Sequence, residues 1–217
     1  MHNRMLVELE GGCRVVGLKD GAPVRDGDLL IWNHFSSLLS LRVLELHGQA
    51  TLRNEEQDEV LFVLGEDVAI DLPASVALEL SGDKTIVACG AAGFSRSAPV
   101  GRLKPAAPLE IRVGDQVAQQ TGDRWYVELI QGEVTQFIGG IPPGRAPDHF
   151  HLYEEVICIL DGTGIMHAGA SSTPIAAGSC IFLPRKQRHC VENTGGGELR
   201  LLGVFYPAGS PAVRYPA

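Results

Sequence analysis

The chain has no C-x-x-C pair, and its five cysteines (Cys13, Cys89, Cys158, Cys180 and Cys190) form an odd, irregularly spaced set. Neither a disulfide framework nor a zinc ribbon fits that pattern, which leaves reduced structural thiols. No segment approaches the ~18 consecutive apolar residues of a membrane span. The opening "MHNRMLVELEGG" lacks the basic stretch and apolar run of a signal peptide, so a cytoplasmic protein is expected, with no membrane partner. Positive charge is equally thin. Single basic residues (Arg4, Arg14, Lys19, Arg25, Arg42, Arg53) are scattered through a chain of net charge −8, without the stripe that a phosphate backbone requires, and nucleic acid is not expected as a partner. Convincing amphipathic helices are missing too. In "QDEVLFVLGEDV" the block Val60–Leu64 reads better as a buried strand.

What remains is a chain of 217 residues, 45 % hydrophobic, with 26 Gly and 13 Pro. About 70 % of the unfolded surface of a chain this long can be buried, enough for one large β domain or two small ones. Short apolar runs broken by turn residues ("LRVLELHG", "EVLFVLGED", "VALELSGD", "KTIVACG") predict an all-β sandwich or barrel. Residues 101–125, with Pro105 and Pro108 and little alternation, read as the crossing between two halves. Beyond them the same style resumes in "WYVELI", "VTQFIGG", "EEVICILDGTG", "SCIFLP" and "LRLLGVFY". Laying "RNEEQDEVLFVLG" over "HFHLYEEVICILDG" reveals an internal repeat, in which Glu59 falls on Glu155, Arg53 on His149 and Glu55 on His151.

The second copy carries chemistry that the first lacks. In "PDHFHLYEEVICILDGTG" two histidines stand one residue apart, so on a strand His149 and His151 project to the same side. Glu155 adds a carboxylate, and His189 in "GSCIFLPRKQRHCVEN" offers a third imidazole. Burying such a cluster is costly unless something compensates it. Three imidazoles and one carboxylate suit a divalent transition ion (Mn, Fe, Co, Ni or Zn), with coordination positions left for water or substrate. His167, His34 and His47 read as structural or ordinary residues. Cys158 and Cys190 alternate away from the ligand face. Candidate substrate contacts are Gln136, Arg145, Tyr153 and Arg188, of which either arginine could hold a carboxylate or enolate in bidentate fashion.

The spacing His149-x-His151-x3-Glu155-x6-Gly162, followed by Gly178-x5-Pro184-x4-His189-x3-Asn193, resembles the two signature motifs of the cupin superfamily of small jelly-roll barrels. Lys186 stands where the second motif usually has glycine, and Gly144 lies one residue nearer the histidines than the first motif's leading glycine. The resemblance is strong over residues 135–206 and weak, through the repeat, over the first half. It implies two double-stranded β-helix (jelly-roll) cupin domains: a degenerate barrel at 1–110 without metal ligands, and a metal-binding barrel at 111–217 holding one divalent ion per chain. In the degenerate barrel Gly93 would stand at the place of His189, and Arg53 would pair with Glu55 or Glu59 inside the barrel in place of a metal.

Sites of this kind in the family serve dioxygenases, oxalate-degrading enzymes and proteins without demonstrated catalysis, so fold and metal alone do not choose the activity. The shared chemistry is an ion that binds and polarises a small enol, enolate or carboxylate. Decarboxylation without O2 would need a carboxylic acid near the mouth, and neither Glu154 nor Asp148 has the parity to face the ion. That favours a dioxygenase, with a non-catalytic metal and small-ligand binding module, or a sugar-acid isomerase, as alternatives. Edge strands of such barrels often pair, and a homodimer is expected.

Overall fold

The computed structural model describes residues 6–91, 107–213 and 215–216. The chain divides into two compact units, one from Gly21–Asp115 and one from Met1–Asp20 together with Gln116–Ala217. The expected division at 110/111 is thereby corrected. The strand Arg14–Gly17 pairs antiparallel with Ser179–Leu183, so the start of the chain completes the sheet of the later unit. The crossing at 101–125 is not featureless either: Leu109–Arg112 pairs with Val68–Leu72, and Gln119–Thr121 with Arg124–Gln131.

In the later unit an eight-stranded antiparallel sheet runs Val7–Glu8, Arg14–Gly17, Ser179–Leu183, Glu154–Asp161, Leu199–Tyr206, Thr135–Ile141, Arg124–Gln131, Gln119–Thr121. A second sheet runs Ser171–Ala176, Thr163–Ala168, His189–Asn193, His149–Phe150, Tyr215–Pro216, with Gly144–Arg145 paired beside His189–Asn193. Ile157, Ile159, Ile181, Leu183, Leu201 and Phe205 of the first sheet share one core with Met166, Ala168, Ile175 and Val191 of the second. Strand alternation explains the selection: in Glu154–Asp161 the positions 157 and 159 enter that core, and Glu155 has the same parity. Cys158, of opposite parity, lies outside the cluster yet is buried, and all five cysteines are buried free thiols.

The other unit is a seven-stranded antiparallel sheet ordered Val24–Asp26, Leu29–Phe35, Leu39–Leu52, Leu78–Ala91, Glu59–Val63, Val68–Leu72, Leu109–Arg112. As the apolar block predicts, Glu59–Val63 is buried along its whole length. The strands Leu39–Leu52 and Leu78–Ala91 pair residue for residue over 14 positions. Gly48 and Gly82 face each other in that ribbon at φ of +128° and +84°. These are backbone states that an L side chain resists. Leu44, Leu46 and Leu52 share one parity on their strand, as do Leu78 and Leu80 on theirs, and all five enter a single core.

Candidate metal centre

His149 and His189 are directly paired across two strands of the second sheet, which sets their rings 4.5 Å apart between centroids. His151 lies just beyond the short strand His149–Phe150, where a hydrogen bond of 2.7 Å from the Lys186 amide to its carbonyl anchors the main chain. Its ring is 4.9 Å from that of His149 and 5.2 Å from that of His189. One ligating atom from each of the three imidazoles lies within 4.8 Å of the others. Glu155 enters from the facing sheet, its Oε2 3.6 Å from His151 Nε2 and 3.8 Å from His189 Nε2. Ligands bound at about 2.1 Å to one ion would sit about 3 Å apart when adjacent, so a modest contraction closes the set.

The outer atoms of the three rings support a metal at this place. Nδ1 of His149 is 3.1 Å from the Pro147 carbonyl, and Nδ1 of His189 is 2.8 Å from the Gln187 carbonyl. A carbonyl only accepts, so both rings carry hydrogen on Nδ1 and leave Nε2 as a lone pair. Nδ1 of His151 meets the Tyr153 hydroxyl at 3.0 Å. Burial, and then the neighbouring His149, push the His189 pKa down from 6.5 to about 3, so the imidazole is neutral, the form that binds metal. The donor set thus fits a divalent transition ion.

A cavity of about 90 Å³ opens over these groups. His149, His151, Glu155 and His189 line it together with apolar residues (Phe137, Ile157, Val191, Leu201 and Phe205) and, toward one wall, Thr121, Arg124 and Trp125. None of the four substrate contacts expected from the sequence lines it. Gln136 is buried on the opposite face of its strand from Phe137. Arg145 and Arg188 turn instead to Asp148, at 3.2 and 2.7 Å. Hydrogen bonding to Cys190, then to Arg188 and Arg145, lowers the Asp148 carboxyl to about 2. Tyr153 is buried behind His151, stacked on its ring at 4.7 Å. Arg124, a lining residue that the sequence reading missed, follows a Thr-Gly-Asp turn and carried no motif to flag it. His167 bonds Glu192 at 2.7 Å, while His47 meets Asp83 at 3.2 Å.

The earlier unit places an ion pair at the register that corresponds to Glu155. In the later unit Glu155 pairs with Phe205, Phe205 with Thr135, and Phe137 follows two residues on. In the earlier unit the same path runs from Glu59 to Gly90 to Ser40, and reaches Arg42. Arg42 therefore holds the register of Phe137, and its guanidinium is 2.6 Å from the buried carboxylate of Glu59. The expected pair of Arg53 with Glu55 forms, but the arginine on buried Glu59 is Arg42. Arg53 pairs with Glu55 at 2.6 Å, but both are exposed, because they precede the strand. Gly93 lies outside the described residues.

Among the described residues no helix is long and apolar enough to cross a membrane. A family model described as a cupin domain matches residues 137–205. An oxalate-binding protein of Thermotoga maritima is 38 % identical over 67 residues, which are 30 % of this chain and 55 % of that protein. The chain thus spans about half the length of that relative. Among solved structures, oxalate decarboxylase of Bacillus subtilis aligns with a TM-score of 0.70 at 13 % identity, over 90 % of this chain and 77 % of its own. A protein described as glyoxylate-induced from Pseudomonas aeruginosa aligns with a TM-score of 0.76 at 12 % identity, over 98 % of this chain and 96 % of its own. Motif, ligand geometry and the matching family model agree on a cupin domain over residues 137–205, and across both units the chain has the all-β jelly-roll fold of those solved structures.

Proposed function

We propose that the later barrel holds one divalent transition ion through His149, His151, Glu155 and His189, and that it binds a small carboxylate or enolate on that ion. The observation that carries this reading is the convergence of three imidazoles and a carboxylate on one small cavity whose remaining lining is mostly apolar, with Arg124 as its cationic member. An ion held by these residues would supply Lewis acidity toward the ligand's oxygens. The protein's part is to exclude water from the apolar walls and to offer Arg124 to the anion's remaining charge. Relatives named for oxalate make oxalate the first ligand to test.

Among the described residues Glu155 is the one carboxylate lining the cavity. Glu154 takes the opposite parity, and Asp148 is engaged by two arginines. Proton donation to a carbanion therefore lacks a second acid, and the Tyr126 hydroxyl is committed to Gln119 at 2.9 Å. This lining favours metal-assisted dioxygenase chemistry, or binding without turnover, over an isomerase with its own acid–base pair. The test is calorimetric titration of oxalate, malonate and a β-diketone into protein loaded with Mn, Fe, Ni or Zn, alongside O2 uptake. One ion per chain and ligand binding only in the loaded protein are expected. Failure to take up an ion at neutral pH would overturn the reading, and ligand binding without O2 uptake would assign a binding module.

A further inference from the structure

We propose that the stretch 208–213, with Tyr215–Pro216, is a working part of the metal site, holding His151 in its ligating tautomer through the Tyr153 hydroxyl. The segment is fastened where it leaves the barrel. The Ala208 amide donates to the Glu133 carbonyl at 2.7 Å, and Thr135 Oγ1 meets Gly209 at both its carbonyl (2.8 Å) and its amide (3.2 Å). Gly209 then lies flat against the Tyr153 ring, with no room for a Cβ between them. The next carbonyl, of Ser210, accepts a long hydrogen bond of 3.4 Å from the Tyr153 hydroxyl. Pro211 forms part of the cavity wall. Further on, Tyr215–Pro216 pairs with His149–Phe150, and the Tyr215 ring stacks on Phe150 at 5.4 Å.

Proton placement follows from donor and acceptor types. The Ser210 carbonyl can only accept, so the Tyr153 hydroxyl hydrogen points to it and the phenolic oxygen faces His151 Nδ1 at 3.0 Å. That oxygen then accepts from an Nδ1–H, and Nε2 is left as the lone pair toward Glu155 and the other imidazoles. Without the Ser210 carbonyl the hydroxyl is free to donate to Nδ1, which moves the imidazole hydrogen to Nε2 and blocks ligation there. The same segment touches the strand of His149, so it bears on two of the three imidazoles. Tyr153 is on this account a positioning residue. It does not line the cavity.

This inference rests on the metal reading, and the experiment separates the two. Four proteins are compared: the full chain, a truncation after Ala208, Tyr153→Phe, and the two changes combined. Tyr153→Phe keeps the ring stacking on His151 and Phe205, and Gly209→Ala, which pushes the ring aside, serves if the truncation does not fold. In cobalt-loaded protein with excess chelator, ion loss should accelerate by about 10–100-fold in either single variant, the usual effect of removing a ligand's outer partner. The combined variant should lose the ion no faster than the truncation alone, because both changes cut one line of hydrogen bonds. Nitrogen NMR of metal-free protein at pH 8 should show His151 with hydrogen on Nδ1 in the full chain and a mixture of tautomers after truncation. An Nε2–H tautomer in the full chain, an unaltered exchange rate in folded variants, or multiplicative effects in the combined variant would overturn the proposal. Failure of the full chain to hold cobalt while His151 keeps its Nδ1–H would instead sink the metal reading and leave the positioning intact.

Discussion

At the scale of the residue, neutral imidazole is the condition on which the site depends. His189 has its pKa lowered from 6.5 to about 3 by burial and by His149. The unfolded chain therefore binds a proton at this position that the folded one refuses, and folding stability is full above about pH 6.5 and declines as pH falls toward 3. Metal-free protein should accordingly show a denaturation midpoint that drops over that window, and His189→Ala should remove this component of the drop. A flat profile in metal-free protein would contradict the assignment. Arg42 and Arg53 make a second contrast. Arg42→Ala strands the buried Glu59 carboxylate and should cost about 1–3 kcal/mol. Arg53→Ala breaks an exposed pair and should stay within about 0.5 kcal/mol, both read from urea unfolding. The sequence showed that Glu59 matches Glu155, because the strand pattern around it is local. It did not show which arginine reaches Glu59, since Arg42 arrives from a strand brought alongside only by sheet register. Lys186 is the converse case, a residue whose oddity was visible against the motif. It adopts φ +62°, the left-handed state that glycine accepts freely. Lys186→Gly should thus be neutral to stabilising, by at most about 1 kcal/mol.

At the scale of the element, the long ribbon of Leu39–Leu52 and Leu78–Ala91 contains two facing glycines at positive φ. Alanine at Gly82 meets open space, so its cost is that of the backbone state alone, about 1–2 kcal/mol. Alanine at Gly48 also collides with the Asp28 carboxylate, which accepts from the Gln49 amide at 3.0 Å, and should cost more. Comparison of the two unfolding midpoints checks the order. Individual strands were legible in the sequence because alternation and buried runs are local signals, as Glu59–Val63 and Glu154–Asp161 show. Pairings between distant segments were not. Nothing near Arg14–Gly17 announces Ser179–Leu183 as its partner, and nothing near Tyr215–Pro216 announces His149–Phe150. The candidate substrate contacts lie off the cavity for a related reason. Chain proximity to the histidines suggested Arg145 and Arg188, whereas the arginine that lines the cavity, Arg124, comes from the strand Arg124–Gln131 in the facing sheet.

At the scale of the whole molecule, the ends of the seven-stranded sheet are Val24–Asp26 and Leu109–Arg112, where Val24 and Leu109 are exposed apolar residues. Open edges invite pairing, and a twofold dimer is expected by light scattering at micromolar concentration, with a monomer refuting it. The Arg42–Glu59 pair has a different consequence. On the proposed reading one unit draws its central positive charge from a side chain and the other from a removable ion, so a chelator should act on one half of the chain and spare the other. Calorimetry of the loaded protein and of the stripped protein should then differ in one component of the melt, because ligand binding raises only the state that binds it. The barrel fixed by arginine becomes an internal reference, carried in the same polypeptide, against which the hold of the metal can be weighed.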